Sequence, residues 1–135
     1  WTACLLFSAP RKNPMINPSS TDKNKELGLP FGKMRKIRIA VDVDGTLRCN
    51  CTDTCEDENW RIVDLFGILS TFKNTELFVW SGGGADYAWR FADKFSLPVK
   101  KSHCISKIDA PQMDIAIDDI QDTAIGNINL IVREK

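Results

Sequence analysis

Between Ile37 and Val132 the chain alternates short apolar runs with longer stretches whose apolar residues recur every three or four positions. Ile37-Arg38-Ile39-Ala40-Val41 reads as a strand, since β-branched side chains suit extended backbone. Trp60 to Phe72 carries Ile62, Leu65, Phe66, Leu69 and Phe72 at helical spacing, with Asp57 or Asn59 placed to cap it. Leu77 to Trp80 is a short buried strand, and Ala85 to Phe95 a second helix with Ala88, Phe91, Ala92 and Phe95 along one face. Leu97 to Lys100 reads as a further strand. Ile115 to Ile117 and Ile128 to Val132 are two more, with a short helical segment expected from Ile120 to Ile125. Strands alternating with amphipathic helices imply an α/β fold with a parallel sheet.

Residues 1–33 lack such a period. Pro10, Pro14, Pro18 and Pro30 punctuate a stretch rich in Ser, Asn and Lys. This segment is expected to be a tail or linker, with the domain spanning 34–135 and Met34 a candidate natural start. The alternative is a tail that packs Trp1, Leu5, Leu6 and Phe7 onto that domain. A chain of 135 residues supports one core but not two. Its formal net charge is zero, so no global field recruits nucleic acid or an anionic membrane. Locally, Lys33, Arg35, Lys36 and Arg38 form one basic cluster and Lys100, Lys101, His103 and Lys107 another, against an acidic patch of Asp53, Glu56, Asp57 and Glu58. No stretch has the length of a membrane span, and Ala3 to Phe7 is too short for a signal-peptide core, so the expected location is cytoplasmic. Five cysteines then read as reduced thiols.

The candidate chemistry lies at the strand ends. Asp42-Val43-Asp44-Gly45-Thr46 follows the first strand directly, and open α/β sheets bind ligands at that edge. Strand alternation would point the two carboxylates to opposite faces, so the strand must stop near Asp42 and turn, which Gly45 permits. Converging carboxylates repel unless a proton or cation lies between them, and Mg²⁺ prefers oxygen ligands. One acid can then attack phosphorus while the other handles the leaving group's proton. Ser81-Gly82-Gly83-Gly84 follows the second strand and offers a hydroxyl and backbone N–H groups to an anion. Asp118 and Asp119 follow the Ile115 strand without a spacer, with Asp119 the expected direct metal contact. Asp122 reads as a surface residue.

These residues, in this order, resemble the signature set of the haloacid dehalogenase-like superfamily, over about the last hundred residues. The resemblance implies a Rossmann-like three-layer α/β/α sandwich, a mostly parallel sheet of about five strands and Mg²⁺-dependent phosphatase activity. Asp42 would be the nucleophile forming an aspartyl-phosphate and a metal ligand. Asp44 would be the general acid and then base, its carbonyl also on the metal. Thr46, Ser81, Gly82, Gly83 and a lysine would hold the phosphate, and Asp118 and Asp119 would complete the metal site. Lys107 is the candidate lysine, with Lys100 and Lys101 as rivals. The interval from Thr46 to Trp60 is too short for a folded cap, so the site should be open to a large phosphorylated substrate. Nucleic acid would enter only as such a substrate, and no membrane partner is implied. Two rivals are a phospho-acceptor switch of the response-regulator type, which the motif order opposes, and a catalytically silent Mg²⁺- or phosphate-binding domain. Cys49, Cys51 and Cys55 are either three zinc ligands or thiols of a flap over the site, with Cys104 far away beside His103.

Overall fold

A computed structural model of the protein describes residues 35–49 and 56–133; the 1–33 segment, Asp53, Cys51 and Cys55 lie outside them. Five strands, β1 (Ile37–Asp42), β2 (Thr75–Ser81), β3 (Cys104–Ser106), β4 (Met113–Asp118) and β5 (Gly126–Ile131), alternate with two helices, α1 (Trp60–Ser70) and α2 (Ala85–Lys94). The strands form one all-parallel sheet in the order β3-β2-β1-β4-β5. The chain reverses its direction of travel across the sheet between β1 and β4. That is the switch point at which the carboxyl ends of an open α/β sheet leave a crevice.

Strand alternation sorts the core into two clusters. Ile39, Val41, Leu77, Val79, Cys104 and Ile117 pack with Phe66 of α1 and with Ala88, Phe91 and Ala92 of α2. Both helices therefore cover one face. On the other face Ala40, Phe78, Trp80 and Ala116 are buried with Met113 and Ala124. The second helical layer of the expected sandwich is not found among the described residues. The β3–β4 and β4–β5 connections span only residues 107–112 and 119–125, which is shorter than a helical crossover needs.

β2, β4 and β5 each begin two residues before the expected Leu77, Ile115 and Ile128, and three further expectations differ for identifiable reasons. Helix α1 stops at Ser70 rather than Phe72, because the Ser70 and Thr71 hydroxyls donate to the Gly67 and Ile68 carbonyls, each at 2.7 Å. The strand expected at Leu97 to Lys100 is absent. Pro98 has no N–H for a ladder, the chain makes a 3₁₀ turn at Lys101–His103, and Cys104 takes the place beside Val79. The helix expected from Ile120 to Ile125 is only a 3₁₀ turn, Gln121–Thr123, since Asp118 draws the Ile120 N–H (3.2 Å) and the Thr123 hydroxyl (3.1 Å) towards itself. Among the described residues no helix is long and apolar enough to cross a membrane.

Candidate metal centre

Asp42 is the last residue of β1 and Asp118 the last of β4, neighbouring central strands paired through Val41 and Ile117. After Asp42 the chain turns back on itself. Gly45 adopts φ 70°, the Leu47 N–H donates to the Asp42 carbonyl at 3.2 Å, and the Arg48 N–H to the Val43 carbonyl at 2.8 Å. One carboxylate oxygen from each of Asp42, Asp118 and Asp119 lies within 4.8 Å of the other two. Asp42 and Asp118 are buried and Asp119 is half-buried.

Lys107, in the turn after β3, answers part of this charge. Its Nζ lies 3.0 Å from Asp42 Oδ1, 2.6 Å from Asp118 Oδ2 and 3.3 Å from the Thr123 hydroxyl, and 5.7 Å from the centre of the Trp80 ring. Burial pulls the ammonium's pKa down, but the hydrogen bond to Asp118 and the charge of Asp42 outweigh it, so the pKa is raised. Burial dominates at Asp42. It pushes the carboxyl up to about 7, with Asp118 adding to the rise and Lys107 opposing it. Asp119 is also raised, chiefly by burial and further by Asp118. Asp118 is the best satisfied of the three, with Lys107, Thr123 and the Ile120 N–H all donating to it.

The remaining candidates spread around this cluster. Ser81 ends β2 and is buried; its Oγ accepts the Gly83 N–H at 3.0 Å, and its carbonyl accepts the Lys107 N–H at 3.1 Å. The Gly83 N–H, expected to face an anion, is thus turned to Ser81. Among the described residues the Ser81 hydroxyl proton has no acceptor. Gly82 is exposed, with open space where a Cβ would stand. Thr46 is buried, and its hydroxyl has no partner among the described residues, so a water or a ligand is needed to spare it a cost of about 1–3 kcal/mol. The Asp44 carboxylate stands outside the acidic cluster. Its Oδ1 accepts the Tyr87 hydroxyl at 2.8 Å and lies 3.1 Å from Arg48 Nε. The Arg48 contact is an ion pair by distance only, because that N–H does not point at the oxygen. Burial, then the bond to Asp44, raises the Tyr87 phenol.

Tyr87, Arg48 and Thr123 are the residues that sequence reasoning missed. Only a demand for donors to each buried carboxylate would have signalled Thr123. Lys100 lines a shallow groove at the amino edge of the sheet, and Lys101 pairs with Asp86 at 3.5 Å. His103 stacks on Phe78 and faces Glu76 at 3.7 Å. Cys104 is in the helix-side core, its thiol pushed up to about 11 by burial. Cys49 Sγ sits 3.5 Å from the Glu58 carbonyl, and with Cys51 and Cys55 outside the described residues the zinc alternative has no geometry. Asp122 is exposed.

Three hard oxygen donors, two of them buried and two, Asp42 and Asp119, pushed towards protonation, could hold a hard metal cation. No protein-family model, curated protein or solved structure matches the chain.

Proposed function

We propose that this domain is a Mg²⁺-dependent phosphoester hydrolase, a phosphatase of the haloacid dehalogenase-like kind, acting through an aspartyl-phosphate. The observation that carries the reading is the convergence of Asp42, Asp118 and Asp119 with Lys107 at the switch point of a parallel sheet. Asp42, Asp118, Asp119 and the Asp44 carbonyl would hold Mg²⁺, which when bound supplies positive charge to a phosphoryl group and keeps a buried carboxylate ionised. Asp42 attacks phosphorus, and the bond from phosphorus to the leaving oxygen breaks. Asp44 gives that oxygen its proton. Water then attacks the same phosphorus, Asp44 takes its proton, and the bond to Asp42 breaks. Lys107 Nζ lies 3.0 Å from Asp42 Oδ1, which supports a role for it in neutralising phosphoryl oxygens. The Ser81 and Thr46 hydroxyls and the Gly82 backbone are the further phosphate contacts.

Turnover of an aryl phosphate, with and without Mg²⁺, tests this. Activity lost on chelation and in Asp42→Asn is expected. Purified protein that binds Mg²⁺ through Asp42 but hydrolyses no phosphorylated compound would leave a silent metal-binding domain instead.

A further inference from the structure

Asp44 is held by two side chains that belong to no motif. Tyr87 lies on the first turn of α2, and its hydroxyl donates to Asp44 Oδ1 at 2.8 Å across 43 residues of sequence. Arg48 stands one turn of chain beyond Asp44 with Nε 3.1 Å from the same oxygen, and its own side chain is largely enclosed beside Phe91. The Tyr87 ring is fixed in turn. It packs on Phe91 with ring centres 5.0 Å apart, and a Cβ on Gly83 would stand 3.1 Å from its Cγ. Gly83 therefore makes room for this ring, which accounts for one glycine of the Gly82-Gly83-Gly84 run on packing grounds.

We infer that Tyr87, seated on Gly83 and assisted by Arg48, is the positioning residue that aims Oδ2 of Asp44 at the leaving group. This rests on the hydrolase reading above. Both contacts engage Oδ1, and among the described residues Oδ2 accepts no hydrogen bond, which makes Oδ2 the oxygen that would carry and transfer the proton. A carboxylate 44% exposed and otherwise unrestrained would sample several rotamers, few of them within proton-transfer reach of a bound ester. The clasp therefore matters for leaving groups that need a proton, and little for those that depart as stable anions.

The test is steady-state kinetics with Mg²⁺ on an alkyl and an activated aryl phosphate, for wild type, Tyr87→Phe, Gly83→Ala, Asp44→Asn and the double variant Tyr87→Phe/Asp44→Asn. Tyr87→Phe keeps the ring and removes one oxygen. It should lower kcat on the alkyl ester about tenfold and on the aryl ester less than about twofold, with KM unchanged. Gly83→Ala, which keeps the hydroxyl but crowds the ring, should show the same substrate split. In the Asp44→Asn background the Tyr87 change should have no further effect on the alkyl ester, because it acts through the group already removed. Equal losses on both esters, a full additional loss in the double variant, or faster turnover without the hydroxyl would each overturn the inference while leaving the hydrolase reading intact. A wild type inactive on both esters would remove that reading, and this inference with it.

Discussion

The raised carboxyl of Asp42 makes the metal-free protein sensitive to pH in an unusual direction. In the folded chain this group titrates at about 7, against the ordinary carboxylate value of 3.8. A raised acid pKa means that the folded state binds the proton more tightly than the unfolded chain. The associated stability is present below about pH 4 and is lost as pH rises through about 7. Between pH 5.5 and 8 roughly 1.5 pH units lie below the folded pKa, so Asp42 alone should remove about 2 kcal/mol over that interval. The shift of Asp119 has the same sign. Surface carboxylates such as Glu56 and Asp114, lowered by their basic partners, work the other way but only in acid. Thermal unfolding in chelator at the two pH values, for wild type and Asp42→Asn, isolates the effect. The amide cannot ionise, so Asp42→Asn should gain on wild type by about 2 kcal/mol at pH 8 relative to pH 5.5, or roughly 5–10 °C in Tm. Saturating Mg²⁺ should erase that advantage by stabilising wild type at pH 8, by about 2.7 kcal/mol at a hundred times Kd, and should do far less at pH 5.5, where it competes with the proton. A Mg²⁺ effect equal at both pH values, or one that survives in Asp42→Asn, would refute the placement of the cation at this carboxylate.

Lys107→Met leaves Asp42 and Asp118 facing each other without a counter-charge; a destabilisation of about 3–5 kcal/mol in chelator is expected by denaturant titration, reduced by Mg²⁺. Lys100→Met or Lys101→Met should cost less than about 1 kcal/mol, since both side chains are exposed. Phe66 is fully buried in the helix-side core, so Phe66→Ala should lower stability by about 3–5 kcal/mol by the same titration, without changing the Mg²⁺ dependence of turnover. A chain beginning at Met34 is expected to fold and keep its turnover per molecule, because every proposed site residue follows Met34; an insoluble or much less stable product would place the preceding segment in the core.

The parts of the fold legible in the sequence are those where one physical signal acted alone. β1, β2 and β4 centre on β-branched or aromatic residues, β5 carries Ile128, Leu130 and Ile131, and both helices keep an apolar stripe. Strand β3 was illegible because three residues, Cys104-Ile105-Ser106, carry no usable period, and the stronger-looking Leu97-Pro98-Val99 could not enter a ladder. The Ile120 segment misled for a different reason: a buried carboxylate in need of donors outweighed helical spacing. The same limit governs the site. Asp42 and Asp118 are visible because strand ends are visible, whereas the Asp44–Tyr87 contact depends on the register that pairs Asp42 with Trp80 and on the phase of α2. Neither is written in a local pattern.

The charge balance of the cluster bears on the proposed function. Asp42, Asp118 and Asp119, if ionised, bring three negative charges to the switch point, and Lys107 returns one. Asp44 adds nothing to the imbalance, since Arg48 stands against it. Two uncompensated charges in a buried place must be met by protons or by a cation. The proton solution is already visible in the raised Asp42 and Asp119, yet a protonated Asp42 is a poor nucleophile. A divalent cation meets both charges at once and leaves Asp42 ionised beside Lys107. On the proposed hydrolase reading, the cluster whose raised Asp42 opposes folding of the metal-free protein at neutral pH is the one that suits a carboxylate for attack on a phosphate, and metal affinity and nucleophilicity should rise together as pH increases through about 7.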